Sequence, residues 1–158
     1  MKIKISLICI VVLVFISSCL QSGPMQQELL GPYDVTSFSA IALHHIDDNS
    51  TDVIFTDRAN MYPKKDDFNV LPDRGVLVAT DIGIYFMYWD LGPLEYEITY
   101  RKKFTDISKI RRQEHESTIF YKDVDILVIT DKKGEESGFY CERIEKAAEI
   151  IKEKTNLP

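Results

Sequence analysis

The chain has 158 residues, 45% of them hydrophobic and 28% charged, with a formal net charge of −6. That length suits one domain with a real core. The acidic balance argues against a nucleic-acid partner, because cationic contacts to phosphate supply most of that affinity.

Lys2 and Lys4 make the N-terminus basic, and from residue 5 to residue 16 only Ser6 interrupts an apolar run. Ser17 and Ser18 then precede Cys19. A basic start, a short apolar core and small residues at a cut site predict an export signal over residues 1–18. The run is too short for a spanning helix, which needs about twenty residues. Ile16-Ser17-Ser18-Cys19 resembles the bacterial lipobox. The resemblance implies that the Cys19 thiol is diacylglycerated, palmitate-like chains included, and that cleavage leaves Cys19 as the first residue. Two or three acyl chains then anchor the protein stably to a membrane. The expected location is the bacterial cell envelope. Leu20 and Gln21, with no aspartate after Cys19, favour the periplasmic face of an outer membrane if the envelope is Gram-negative. Loss of Lys2 and Lys4 with the leader makes the remaining chain more acidic still. Residues 19–33, punctuated by Gly23, Pro24, Gly31 and Pro32, read as a lipidated tether, and residues 34–158 as one globular domain.

Residues 35–46 are apolar enough for either a helix or a strand, and Asp47-Asp48-Asn49-Ser50 reads as a loop. A short strand is expected over 52–56, then an irregular polar stretch over 58–72 containing Lys64-Lys65-Asp66-Asp67. Residues 76–80 and 84–89, rich in β-branched and aromatic side chains, read as strands around a turn at 81–83. Tyr96, Ile98 and Tyr100 alternate with Glu97, Thr99 and Arg101, the pattern of a half-buried strand. Phe104, Ile107 and Ile110 carry the chain onward, and residues 117–121 and 125–130 read as a further strand pair. Residues 131–134 form a turn in which Gly134 suits positive φ, and 136–141 is the last strand. Ile144, Ala147, Ala148 and Ile151 fall on one helical stripe. Glu142 and Glu145 at its start and Lys152 and Lys154 near its end complement the helix dipole. Glu142 and Lys146 form a favourable i, i+4 pair, and Asn156 and Pro158 end the helix.

Several short antiparallel strands and one terminal helix predict a mainly β (α+β) fold, a small partly open barrel capped by that helix. Gly75-Val-Leu-Val-Ala-Thr80-Asp81-Ile-Gly83-Ile-Tyr-Phe86 resembles the second and third strands of GRAM and bacterial pleckstrin-homology-like (PH-like) domains. Phe104-Thr-Asp106-Ile107-Ser-Lys-Ile110 is similar to their aromatic–Asp–Ile segment, and Asp125 to Thr130, Gly134, Phe139 and the helix complete the order. The resemblance covers residues 70–155 and implies a binding module rather than an enzyme. The basic signature used for phosphoinositides has no counterpart before Gly75, where Asp66-Asp67 neutralise Lys64-Lys65.

Arg101, Lys102, Lys103, Lys109, Arg111 and Arg112 concentrate positive charge on an acidic chain. They could meet anionic headgroups or an acidic partner, or be neutralised by Asp106, Glu114 and Glu116. Trp89, near a strand end with Leu91, is a candidate apolar tip. These residues form the expected binding surface, for an envelope protein partner or lipid headgroups. The rival reading is an envelope metal-binding protein or enzyme using His44, His45 and Asp47. Adjacent histidines on an extended segment face opposite ways and rarely share an ion, and His115 lies apart in a charged run. Neither a metal nor another cofactor is expected. Cys141 has no intramolecular partner once Cys9 leaves and Cys19 is lipidated, so it reads as a buried apolar residue. Oligomeric state is not readable.

Overall fold

The computed structural model describes residues 35–63, 72–90, 92–93, 95–115 and 124–157. The leader 1–18, Cys19 with the tether, Lys64 to Asp67, Leu91, Leu94 and the expected strand over 117–121 lie outside the described residues. The elements are α1 (Val35–His45), β1 (Val53–Pro63), β2 (Asp73–Thr80), β3 (Gly83–Asp90), β4 (Glu95–Lys103), a 3-10 turn (Phe104–Asp106), β5 (Ile107–His115), β6 (Val124–Asp131), β7 (Glu136–Cys141) and α2 (Ile144–Thr155).

The strands form one seven-stranded sheet in the order β4-β3-β2-β1-β7-β6-β5. Every described pairing is antiparallel. β1 is the hinge of this sheet. Residues from Val53 to Met61 pair with β2, and residues from Ala59 to Pro63 pair with β7. The two edge strands, β4 and β5, are consecutive in the chain and joined by the 3-10 turn. Their corner is fastened to distant turns: Phe104 N–H donates to Ile82 O at 3.0 Å and Lys132 N–H to Asp106 O at 2.8 Å. One antiparallel sheet of short strands followed by a terminal helix is the mainly β arrangement expected from the motif order.

The inner face gathers Phe55, Leu77, Phe86, Phe104, Leu127, Ile129 and Phe139 into one core, closed at its end by Ala147, Ile150 and Ile151 of α2. Gly75 is dictated by close packing, since a Cβ there would lie 2.2 Å from Met87 O. Gly134 adopts φ 84°, as the turn over 131–134 requires. The start of α2 is locked to β1: Arg143 N–H donates to Asp57 Oδ2 at 2.7 Å, and its guanidinium lies 5.1 Å from the Phe55 ring centroid. Asn156, at φ 54°, ends the helix in the left-handed conformation.

The outer face of β2–β3–β4 is also buried. Phe38, Ala42 and Ile46 of α1 and its following turn cover Val76, Val78, Tyr85, Met87, Trp89 and Tyr96. The segment over 35–46 is therefore a helix, the apolar sheet face beneath it having settled the ambiguity of its pattern.

Two further expectations are corrected. Arg58 to Pro63 is not irregular but continues β1, because β2 and β7 supply ladder partners along a polar sequence. Glu142 precedes α2, and Lys146 pairs with Glu149 at 3.2 Å instead. β6 pairs with both β5 and β7.

Candidate binding groove

β5 ends the sheet, so only one of its sides is hydrogen-bonded to a described strand, β6. In an antiparallel pair alternate residues point their N–H and C=O away from the partner, leaving an open row on an edge strand. Alongside β5 runs a groove of about 730 Å³, bounded on the other side by α2. Ile110, Leu127 and Ala148 provide its apolar surface, while Arg111, Arg112, Lys146 and Lys152 with Glu145 and Glu149 provide its charged rim.

The sequence anticipated a cationic cluster here, and the structure shows how it is compensated. Arg101 pairs with Asp47 at 2.8 Å. Lys102 reaches from β4 to Asp131 and to Glu135, the latter at 3.1 Å. Arg111 pairs with Glu136 at 3.1 Å and contacts Gln113. Arg112 holds Asp125 of β6 with one nitrogen and Glu145 of α2 with another. Among the described residues only Lys103 and Lys109 of the six form no ion pair. The neutralising acids are not the sequence neighbours Asp106 and Glu114. They come from other strands, from the turn after α1 and from α2.

Asp131 is the most perturbed of these groups. The Lys102 ammonium holds its carboxyl down to about 2, aided by the backbone N–H groups of Glu135 and Lys133 against the cost of burial. Lys102 is raised in turn, first by its hydrogen bond to Asp131. Arg112 is raised by its bonds to Asp125 and the charge of Glu145.

Trp89 is not an exposed tip. It is buried under α1 with its ring edge-on to Tyr96 at 4.8 Å, and its Nε1–H finds no acceptor among the described residues. Local sequence leaves Trp89 open between core and tip, and α1, distant in sequence, places it in the core. His44 and His45 sit in the last turn of α1 rather than on an extended segment, with ring centroids 5.6 Å apart. Among the described residues no three His, Cys, Asp or Glu side chains converge as metal ligands. Asp47 is engaged by Arg101. Cys141 is buried, and burial pushes its thiol up to about 12.

A network beneath the end of α1 has no local signature in the sequence. Asp48 accepts hydrogen bonds from Ser50 and from the Tyr85 hydroxyl, and Ser50 Oγ also bonds Thr80 Oγ1 at 2.9 Å. Burial raises the Asp48 carboxyl, but these donors outweigh it and hold the group low. The network pins the turn after α1 to β2 and β3.

No family model and no curated protein matches the chain. Among solved structures it is similar to the crystal structure of the Slm1-PH domain in complex with phosphoserine, at 13% identity and a TM-score of 0.42. The match covers 66% of this chain and 93% of that one.

Proposed function

We propose that this protein is a lipid-anchored, non-catalytic binding module of the bacterial cell envelope, and that it engages a partner protein through the open edge of β5. The observation that carries the reading is a strand edge with no partner among the described residues, lying along an apolar-floored groove of about 730 Å³. An extended segment can add its backbone to such an edge and seat alternate side chains in the groove. The anchoring half rests on Ile16-Ser17-Ser18-Cys19 after an apolar core. The non-catalytic half follows from the resemblance of residues 70–155 to PH-like binding modules.

A photo-crosslinking residue in place of Lys109, on exposed β5, tests the edge in the native envelope. A protein adduct is expected there, lost when Ala148→Arg fills the groove, and absent from the same residue placed at Glu97 on β4. Equal adducts at both positions would place the partner elsewhere. Cys19→Ser tests anchoring. The variant should leave the membrane fraction, and retention after a high-salt wash would sink the lipobox reading.

A further inference from the structure

Arg112 ties the two walls of the groove together. One nitrogen binds Asp125 of β6 and another binds Glu145 of α2, residues 13 and 33 positions away in the chain. All of this lies at the surface: the side chains of Arg112, Asp125 and Glu145 are 44%, 49% and 75% exposed. Asp125 belongs to the strand beside β5, so that contact leaves the groove open. Glu145 belongs to the opposite wall, so its carboxylate reaches Arg112 across the groove mouth. An exposed ion pair of this kind contributes little and exchanges readily. A guanidinium has five donors in a planar fork suited to carboxylates. Lys152, on the same rim, forms no ion pair with a described residue. Arg111 and Lys146 are held by Glu136 and Glu149, so Arg112, with its exposed and exchangeable Glu145, and Lys152 are the cations of the lining open to a ligand's carboxylate.

Resting on the edge-strand reading, we infer that the groove takes an extended acidic segment of a partner protein, one of whose carboxylates replaces Glu145 on Arg112. The segment lies along β5 as an added strand. Ile110, Arg112 and Leu127 share one face of the sheet, so the alternate side chains of the segment that turn to this face are apolar against Ile110, Leu127 and Ala148, except for one acidic side chain that meets Arg112 and Lys152. Glu145 is thus an internal stand-in for the ligand's carboxylate. It keeps the guanidinium occupied when the groove is empty and must be displaced on binding.

The test uses the full chain in neutral detergent and fluorescent nine-residue peptides that alternate Val with Thr and carry Glu, Gln or Lys in place of the central Val. Binding is read by anisotropy. The Glu peptide should bind about tenfold tighter than its Gln isostere at low salt, the size of one charge-assisted contact. The advantage should shrink as salt rises. Arg112→Gln should erase the difference between the Glu and Gln peptides, and Glu145→Gln should enlarge it by freeing the guanidinium. Unchanged urea midpoints show that both variants remain folded. If Glu and Gln peptides bind equally well to the parent chain, the acidic preference is wrong while the edge-strand reading stands. If no peptide binds, or if Ala148→Arg leaves binding intact, the groove itself is not the site and both readings fall. If Glu145→Gln weakens the Glu peptide, the displacement step is wrong. If Arg112→Gln instead abolishes binding to anionic vesicles and leaves peptide binding unchanged, the arginine serves a membrane and the inference is overturned.

Discussion

Ile151→Ala is the sharpest probe of how the terminal helix holds the fold. Ile151 is 1% exposed and packs among Ala147, Ile150 and the inner-face side chains of the sheet. The substitution removes three carbon groups at about 0.8 kcal/mol each, roughly 2.4 kcal/mol of transfer free energy. Incomplete collapse of the cavity raises the loss toward about 4 kcal/mol. Glu149, on the same helix, is 70% exposed at its side chain and holds only Lys146, at 3.2 Å. Its replacement by Ala should cost no more than about 0.5 kcal/mol. Equilibrium urea unfolding distinguishes the two. With a slope near 2 kcal/mol per molar, Ile151→Ala should lower the midpoint by roughly 1 to 2 M with the slope unchanged. Glu149→Ala should leave the midpoint nearly in place. Equal shifts in the two variants would refute the packing of α2 on the open end of the sheet.

Gly75→Ala should destabilise by about 1 to 3 kcal/mol, because the new methyl meets backbone at Met87 O and the Phe86 ring rather than a mobile chain end; a neutral result in the same urea assay would contradict the packing of β2 on β3. The Asp131 carboxyl is held down to about 2 from 3.8, so its contribution is present above 3.8 and lost as pH falls toward 2. Asp131→Asn should therefore flatten the fall in urea midpoint across that window, and an unchanged pH profile would disprove the Lys102–Asp131 coupling. Binding to anionic vesicles should be weak, since only Lys103 and Lys109 of the six clustered cations form no ion pair with a described residue. At about 1 kcal/mol per free cation, sedimentation with anionic liposomes should show a small effect that Lys103→Gln with Lys109→Gln removes. A large effect insensitive to that double substitution would place the membrane contact on another face.

Local pattern was enough for the elements whose burial is decided near at hand. The alternation of Tyr96, Ile98 and Tyr100 with polar residues marked β4, whose Glu95, Glu97 and Thr99 remain exposed. The stripe containing Ala147 and Ile151 marked the buried face of α2, and Gly134 marked the turn between β6 and β7. The β-branched and aromatic runs at Val76 to Ala79 and Ile84 to Met87 marked β2 and β3, whose burial on both faces is a finding of the structure. What the sequence left open was what covers the second face. That is α1, whose Phe38, Ala42 and Ile46 find an apolar sheet only when β2, β3 and β4 are assembled. The length of β1 was hidden for a related reason: Arg58 and Asn60 are poor strand signals, and backbone pairing holds them extended, Arg58 against Val76 of β2 and Asn60 against both Arg74 of β2 and Tyr140 of β7. The cationic cluster was visible as composition, but its compensation was not. Arg112 meets Asp125 and Glu145, and Lys102 meets Asp131 and Glu135, because sheet register and helix docking bring them within reach across 13 to 33 residues of chain. A charge is a property of a residue, whereas its partner is a property of the fold, so the groove and the arginine across it were decided only by the tertiary structure.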